Sequence, residues 1–267
     1  LDELERKLRL NQFRGGTAAV YMEPVGPESG TTPITVEYVK GVERLCRKYG
    51  ALLVFDEVVT GFRIGMAGAQ GYFGVSPDLT IFGKVIAGGY PGAGGIGGKR
   101  EYMKYLGAGL DSSGKKIHKA LVGGTMTANP LSCCAGYFTL EEIERTNACQ
   151  KAGQMGDRIC AGLKELVKKH GLPFVVWNTG SICHLETVGT MHYQINWKKP
   201  WEIPAILGET GVRQKEMEHM GAAYMAEGLV TLAGSRLYTS AAYTPKMIDQ
   251  ALACFDRVFE NVAVKAD

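Results

Sequence analysis

The chain has 267 residues, 45% of them hydrophobic and 21% charged, with a net charge of +3 at neutral pH. This is an ordinary globular balance, long enough for one large domain or two modest ones. The charge is spread rather than gathered in a basic block, and no apolar run reaches the length of a membrane-spanning helix, so nucleic acid and membrane are excluded as partners.

Residues 1–10 read as a charged, helix-like stretch rather than a signal peptide. Residues 17–23 read as a short buried strand entering a Pro/Gly loop at 24–30. The next helix is expected to take Thr32 as its cap and Pro33 in its first turn. It would bury Tyr38, Val42, Leu45 and Tyr49 and stop at Gly50. Residues 51–55 form an apolar run that ends abruptly in Asp56-Glu57. That is the pattern of a central parallel strand with polar groups at its carboxyl end, and residues 79–82 repeat it, ending at Gly83-Lys84. Glycines cluster at 88–98 and 123–124, which predicts tight turns and close backbone approach beside a ligand. A charged helix starts near 99–103, and Asn129-Pro130 opens another that runs to about 145.

Residues 150–170 present Met155, Ile159, Leu163, Leu166 and Val167 on one face of a long helix closed by Gly171. Residues 174–186 alternate like a strand pair bent at 178–180. A helix near 214–227, a strand near 229–232 and a terminal helix from Pro245, carrying Ile248, Phe255, Val258 and Phe259, complete the chain. Strand and helix alternate in the first half, and helices surround a small antiparallel sheet in the second, with a boundary near 140–155. The seven cysteines include adjacent Cys133 and Cys134 and no metal-ligand spacing. They read as reduced thiols of a cytoplasmic protein, mostly small core fillers.

In open α/β sheets the ligand sits at the carboxyl ends of the strands. Two strands here deliver an acid, Asp56, and an amine, Lys84, to that edge. Schiff-base chemistry asks for that pair. Desolvation helps an amine lose its proton and attack an aldehyde, and a carboxylate under a pyridine nitrogen keeps the ring protonated as an electron sink. Taken by spacing alone, a lysine after a strand is more often solvated surface and an aspartate there a helix cap, so both readings stand at this point.

Three strings tip the balance: LLVFDEVVTGFR at 52–63, PDLTIFGK at 77–84 and GTMTANP at 124–130. In order and in register they resemble class III aminotransferases that depend on pyridoxal 5'-phosphate (PLP). The segment AQGYFGVSPDLT at 69–80 is similar to the glutamate-1-semialdehyde 2,1-aminomutase subgroup. The resemblance implies an α/β, PLP-dependent transferase fold of the aspartate aminotransferase type. Residues 1–148 would be the C-terminal part of a large domain with a mainly parallel sheet, and 149–267 a small α+β domain. It implies Lys84 as the Schiff-base lysine and proton shuttle, Asp56 as partner of the pyridinium nitrogen and Val58 packed flat on the ring. Thr125, with the backbone of Gly124, would bind the cofactor phosphate and reach into the neighbouring subunit's site, so a homodimer is implied. Val59 departs from the glutamine of many class III transaminases. Members of the family also carry a substantial portion before the segment that starts at Glu23, holding a phosphate loop and a ring-stacking aromatic. The chain is therefore expected to be a fragment that catalyses poorly alone.

The family does not fix the reaction. Glu28 matches a glutamate that pairs with an arginine in many class III transaminases, and Arg236 has the spacing of the arginine that binds a substrate carboxylate. The expectation is amino-group transfer on a small amino acid or amine. A 2,1-aminomutase or a PLP-dependent racemase on the same body is the alternative. Residues 92–97 also match GxGxxG with Asp111 downstream, the fingerprint of a nicotinamide-binding dehydrogenase, although they do not follow the first strand of a βαβ unit. The stretch 107–119 reads as a surface loop or a substrate lid carrying Lys116 and His118, and His184 as a satisfied histidine of the small domain.

Overall fold

A computed structural model describes residues 1–25, 33–107, 109–110, 112–116, 118–187, 199–232 and 234–262. The chain forms two compact units, the first ending at Asn147 and the second built on Ala148 onward.

The first unit is a four-stranded sheet, β1 (Ala19–Met22), β2 (Leu52–Asp56), β3 (Leu79–Phe82) and β4 (Gly95–Gly98), in that spatial order. β1 and β3 run parallel to β2, and β4 runs antiparallel to β3. Leu53, Val54 and Phe55 are buried, as expected of a strand flanked on both sides. The glycine run was expected to form tight turns, yet its last four residues are β4. Glycines give no alternation to read, and only a residue without a side chain fits there: a Cβ on Gly98 would lie 2.6 Å from the Asp78 carbonyl oxygen.

The helices of this unit are α1 (Asp2–Asn11), α2 (Val36–Tyr49), α3 (Gly68–Phe73), α4 (Arg100–Met103) and α5 (Pro130–Thr146). α2 starts later than expected. Thr35 is its cap and accepts from the Tyr38 N–H, while Thr32 lies outside the described residues. Its buried face is Val39, Gly41, Val42 and Cys46 rather than the tyrosines. Small side chains take the interior, and Tyr49 keeps its hydroxyl at the surface, where it donates to Glu5. α2 ends at Gly50 with φ +68°, the left-handed stop that the sequence predicts. α5 begins as expected, with Asn129 accepting from the Ser132 N–H and Pro130 in the first turn.

Buried Asp78 ties these layers together. It accepts from the Leu53 N–H at 2.8 Å, from Arg47 of α2 at 2.6 Å and from Lys99 at 2.6 Å. Burial works to raise its pKa, but Lys99, the Leu53 amide and Arg47 together hold the carboxyl below its ordinary value.

The second unit contains α6 (Ala148–Lys169), the antiparallel strands β5 (Val175–Thr179), β6 (Ile182–Glu186) and β7 (Arg236–Tyr238), and the helices α7 (Ile203–Ala226) and α8 (Pro245–Glu260). Ile159, Leu163, Leu185, Tyr224, Leu237, Phe255 and Phe259 form one core. All four residues predicted to face inward from α8 are buried. Two expectations fail. Residues 229–232 form no strand: Leu232 makes only a single bridge to Arg236, and the third strand lies just beyond it. α7 begins eleven residues before 214, because Gly208, Gly211 and a diffuse apolar pattern mask its first turns. Three of the seven cysteines are buried, while Cys133 and Cys134 are exposed, so core filling describes fewer of them than expected.

Candidate active site

The register pairs Asp56 of β2 with Ile81 of β3, so the carboxyl ends of two adjacent parallel strands lie side by side. The Glu57 N–H donates to the Ile81 carbonyl oxygen at 2.8 Å and continues that pairing past the strand. Two residues beyond Phe82 the chain turns into a single 3-10 turn, Lys84–Ala87, with Lys84 at φ +50°. A left-handed lysine is uncommon, and such backbone strain collects at functional sites. Phe62 (φ +57°) and Ala128 (φ +53°) share that conformation.

Gly83 passes close over Val58: a Cβ there would lie 3.3 Å from a Val58 methyl. The turn is backed by α5, where a Cβ on Gly136 would meet the Ile86 carbonyl oxygen at 1.9 Å. Lys84 and Val58 then face one cleft of about 480 Å³, shared with Gly61, Arg63, Gly89 and Tyr90. Asp56 is not in its lining but is tied to it, because one carboxylate oxygen accepts from the Val58 N–H at 3.0 Å. The other accepts from the hydroxyl of Tyr21 on β1. A carboxylate has roughly four acceptor positions, so about two stay open for a further donor. An amine, a flat apolar side chain and an ionisable acid with spare acceptor capacity suit a pyridine aldehyde.

Glu57 beside Asp56 has a different task. It is buried and accepts from Thr60 and from the Ala69 N–H. It pins the segment that carries Arg63.

Thr125 sits at the start of an exposed turn, where the Thr127 N–H donates to the Gly124 carbonyl oxygen. Neither Gly124 nor Thr125 lines the cleft. The turn is nonetheless fixed to the glycine loop after Lys84: the Ala128 N–H donates to Gly92, and Asn129 and Ser132 both donate to the Pro91 carbonyl oxygen. Arg236 lies on β7, where it borders a separate cavity of about 610 Å³ with Leu229, Tyr238, Tyr243 and Phe255. Glu28 and Asp111 lie outside the described residues.

The dinucleotide reading is overturned. The glycines run into β4, antiparallel to its neighbour, whereas the fingerprint must open a helix after a parallel strand. His184 is buried as expected: neither ring nitrogen makes a close hydrogen bond among the described residues, but its Nδ1 faces the Glu186 carboxylate at 3.7 Å. Lys116 and His118 are exposed.

Tyr21 and Tyr90 belong to no sequence motif of the site. Tyr21 was legible only as a strand residue, because its contact with Asp56 depends on strand order. Arg63 ends the string at 52–63, but only the fold places it at the cleft.

The family model for class-III aminotransferases matches residues 2–233. Glutamate-1-semialdehyde 2,1-aminomutase 2 of Brevibacillus brevis is 34% identical over 252 residues, covering 92% of this chain and 53% of that protein. Glutamate-1-semialdehyde 2,1-aminomutase 1 of Staphylococcus epidermidis is 40% identical over 182 residues, covering 68% and 40%. An omega-transaminase structure from Sphaerobacter thermophilus superposes with a TM-score of 0.77 at 24% identity, over 97% of this chain and 55% of that one. That likeness bears out the expected transaminase fold. The chain thus spans about half the length of the curated relatives it matches, and it belongs to the class-III aminotransferase family.

Proposed function

We propose that the protein takes part in amino-group transfer between a small amino acid or amine and a keto acceptor, with pyridoxal 5'-phosphate held covalently by Lys84. The observation that carries this reading is the convergence of Lys84, Val58 and, through the Val58 amide, Asp56 on one edge of the parallel sheet. When bound, the cofactor supplies an electron sink for the bond broken at the substrate carbon. The chain's residues do the rest. Lys84 would hold the cofactor aldehyde covalently, and its amine would serve as the base and acid that moves the proton at the substrate carbon. Asp56 accepts from the ring nitrogen and keeps it charged, a hydrogen bond contributing about 1.5–3 kcal/mol. Val58 gives the ring a flat apolar seat.

Gly124 and Thr125 are assigned to the cofactor phosphate, in the neighbouring site of a homodimer. The exposure of their turn, beside exposed Met126 and Leu131, supports that assignment. Arg236 remains assigned to the substrate carboxylate and Glu28 to pairing with that arginine when no carboxylate is bound, and residues 1–148 and 149–267 are assigned to the large and small domains. Reduced thiols accord with a cytoplasmic setting.

A 2,1-aminomutase is the second reading, favoured by relatives of that name at 34–40% identity. Absorbance with added PLP, before and after Lys84→Ala, tests the shared chemistry: the bound-cofactor band should vanish with the lysine. Turnover with and without an amino acceptor separates the two reactions.

A further inference from the structure

We propose that Tyr21 is a positioning residue for the cofactor site, its phenol holding the Asp56 carboxylate in place and aimed at the ring nitrogen. The inference rests on the reading of Lys84 and Asp56 given above.

The register of β1 on β2 places Tyr21 opposite Val54, hence on the sheet face that Val54 shares with Asp56 two residues on. From there the phenol donates to one oxygen of Asp56, while the Val58 N–H donates to the other. With the Val58 bond alone, the carboxylate would be held at one point and free to swing. With both, its plane is fixed and its remaining acceptor positions point in set directions. The identity of the donor also matters. The donors that reach Asp56 among the described residues are the Tyr21 phenol and the Val58 N–H, both uncharged. A guanidinium there would cancel the charge that must face a pyridinium and would repel that pyridinium. A phenol stabilises the carboxylate without bringing a positive charge. The relation is mutual, since Asp56 accepting the bond raises the Tyr21 pKa and keeps the phenol a donor throughout the working range.

Two measurements test this. In the protein without cofactor, the ultraviolet phenolate titration of wild type minus Tyr21→Phe isolates Tyr21. It should titrate above an ordinary tyrosine, and Asp56→Asn should bring it back down. An unchanged curve in Asp56→Asn overturns the proposal. The second measurement is the PLP dissociation constant, read from the Lys84-dependent absorbance band, in Tyr21→Phe, Asp56→Asn and the double variant. Tyr21→Phe should weaken PLP about tenfold, the scale of a charged hydrogen bond, and should add nothing once Asp56 is replaced. Additive losses, or an unaltered constant in Tyr21→Phe, overturn the positioning role and leave Lys84 standing. Absence of any Lys84-dependent band in the wild type overturns both.

Discussion

Trp177 and His184 stand directly opposite each other on β5 and β6 and stack with ring centroids 4.1 Å apart and planes 6° from parallel. The stack fixes an imidazole that makes no close hydrogen bond among the described residues, with its Nδ1 facing the Glu186 carboxylate at 3.7 Å. Buried polar atoms left unsatisfied cost free energy, while an apolar ring of similar shape does not. His184→Phe should keep the stack but withdraws the nitrogen that faces Glu186, so stability should change by no more than about 1 kcal/mol. His184→Ala opens a cavity and should cost about 2–4 kcal/mol. Denaturant midpoints of the two variants decide the matter, and a large loss in the phenylalanine variant would mean that a ring nitrogen is in use.

Asp78 makes a prediction about acid. Its folded pKa lies below the unfolded one, so the stability it contributes is present above the unfolded carboxylate value of about 3.9 and is lost as pH falls through the lower, folded value. Asp78→Asn keeps an acceptor for the Leu53 amide but gives up the charge facing Arg47 and Lys99. Because both cations are partly exposed, the loss at neutral pH should be modest, about 1–3 kcal/mol. Urea titrations at neutral pH and near pH 2 should show the gap between variant and wild type closing in acid. A gap of constant size would place the effect outside carboxylate ionisation.

How much was legible follows from where each signal resides. β2 and β3 were readable because a strand covered on both sides must be apolar along its length and then stop, and Asp56 and Lys84 mark those stops. α5 and α8 were readable from Asn129-Pro130 and Thr244-Pro245, where cap and proline specify a helix start locally. β4 was not, because Gly95, Gly97 and Gly98 carry no alternating pattern, and what demands Gly98 is the Asp78 backbone across the sheet. The bond from Tyr21 to Asp56 was invisible for the same reason: 35 residues separate the partners, and only the strand order joins them. Local chemistry was written in the sequence, and adjacency was not.

Gly136 should report on the link between α5 and the cleft. Its Cα faces the Ile86 carbonyl of the turn that starts with Lys84, with no room for a methyl group. Gly136→Ala must push that turn or the helix aside, at an overpacking cost of about 1–3 kcal/mol. The expected outcome is a weakened or absent Lys84-dependent PLP band in a protein that still folds by circular dichroism. Gly107→Ala, at an open position whose nearest neighbour would be 3.7 Å away, is the matched control and should leave the band intact.

Lys84 itself should show that its backbone conformation opposes stability. At φ +50° a side chain is disfavoured, while glycine is at ease there. Lys84→Gly relieves the strain and Lys84→Ala keeps it, so the glycine variant should be the more stable of the two by about 1 kcal/mol, after allowing for the greater freedom glycine gains on unfolding. Both variants lose the amine and with it the cofactor band, so the comparison isolates the backbone. Thermal unfolding without PLP measures it directly. If the alanine variant equals or exceeds the glycine variant, the left-handed turn is not a strained one, and the position of Lys84 above the cleft owes nothing to restraint by β3, Val58 and α5.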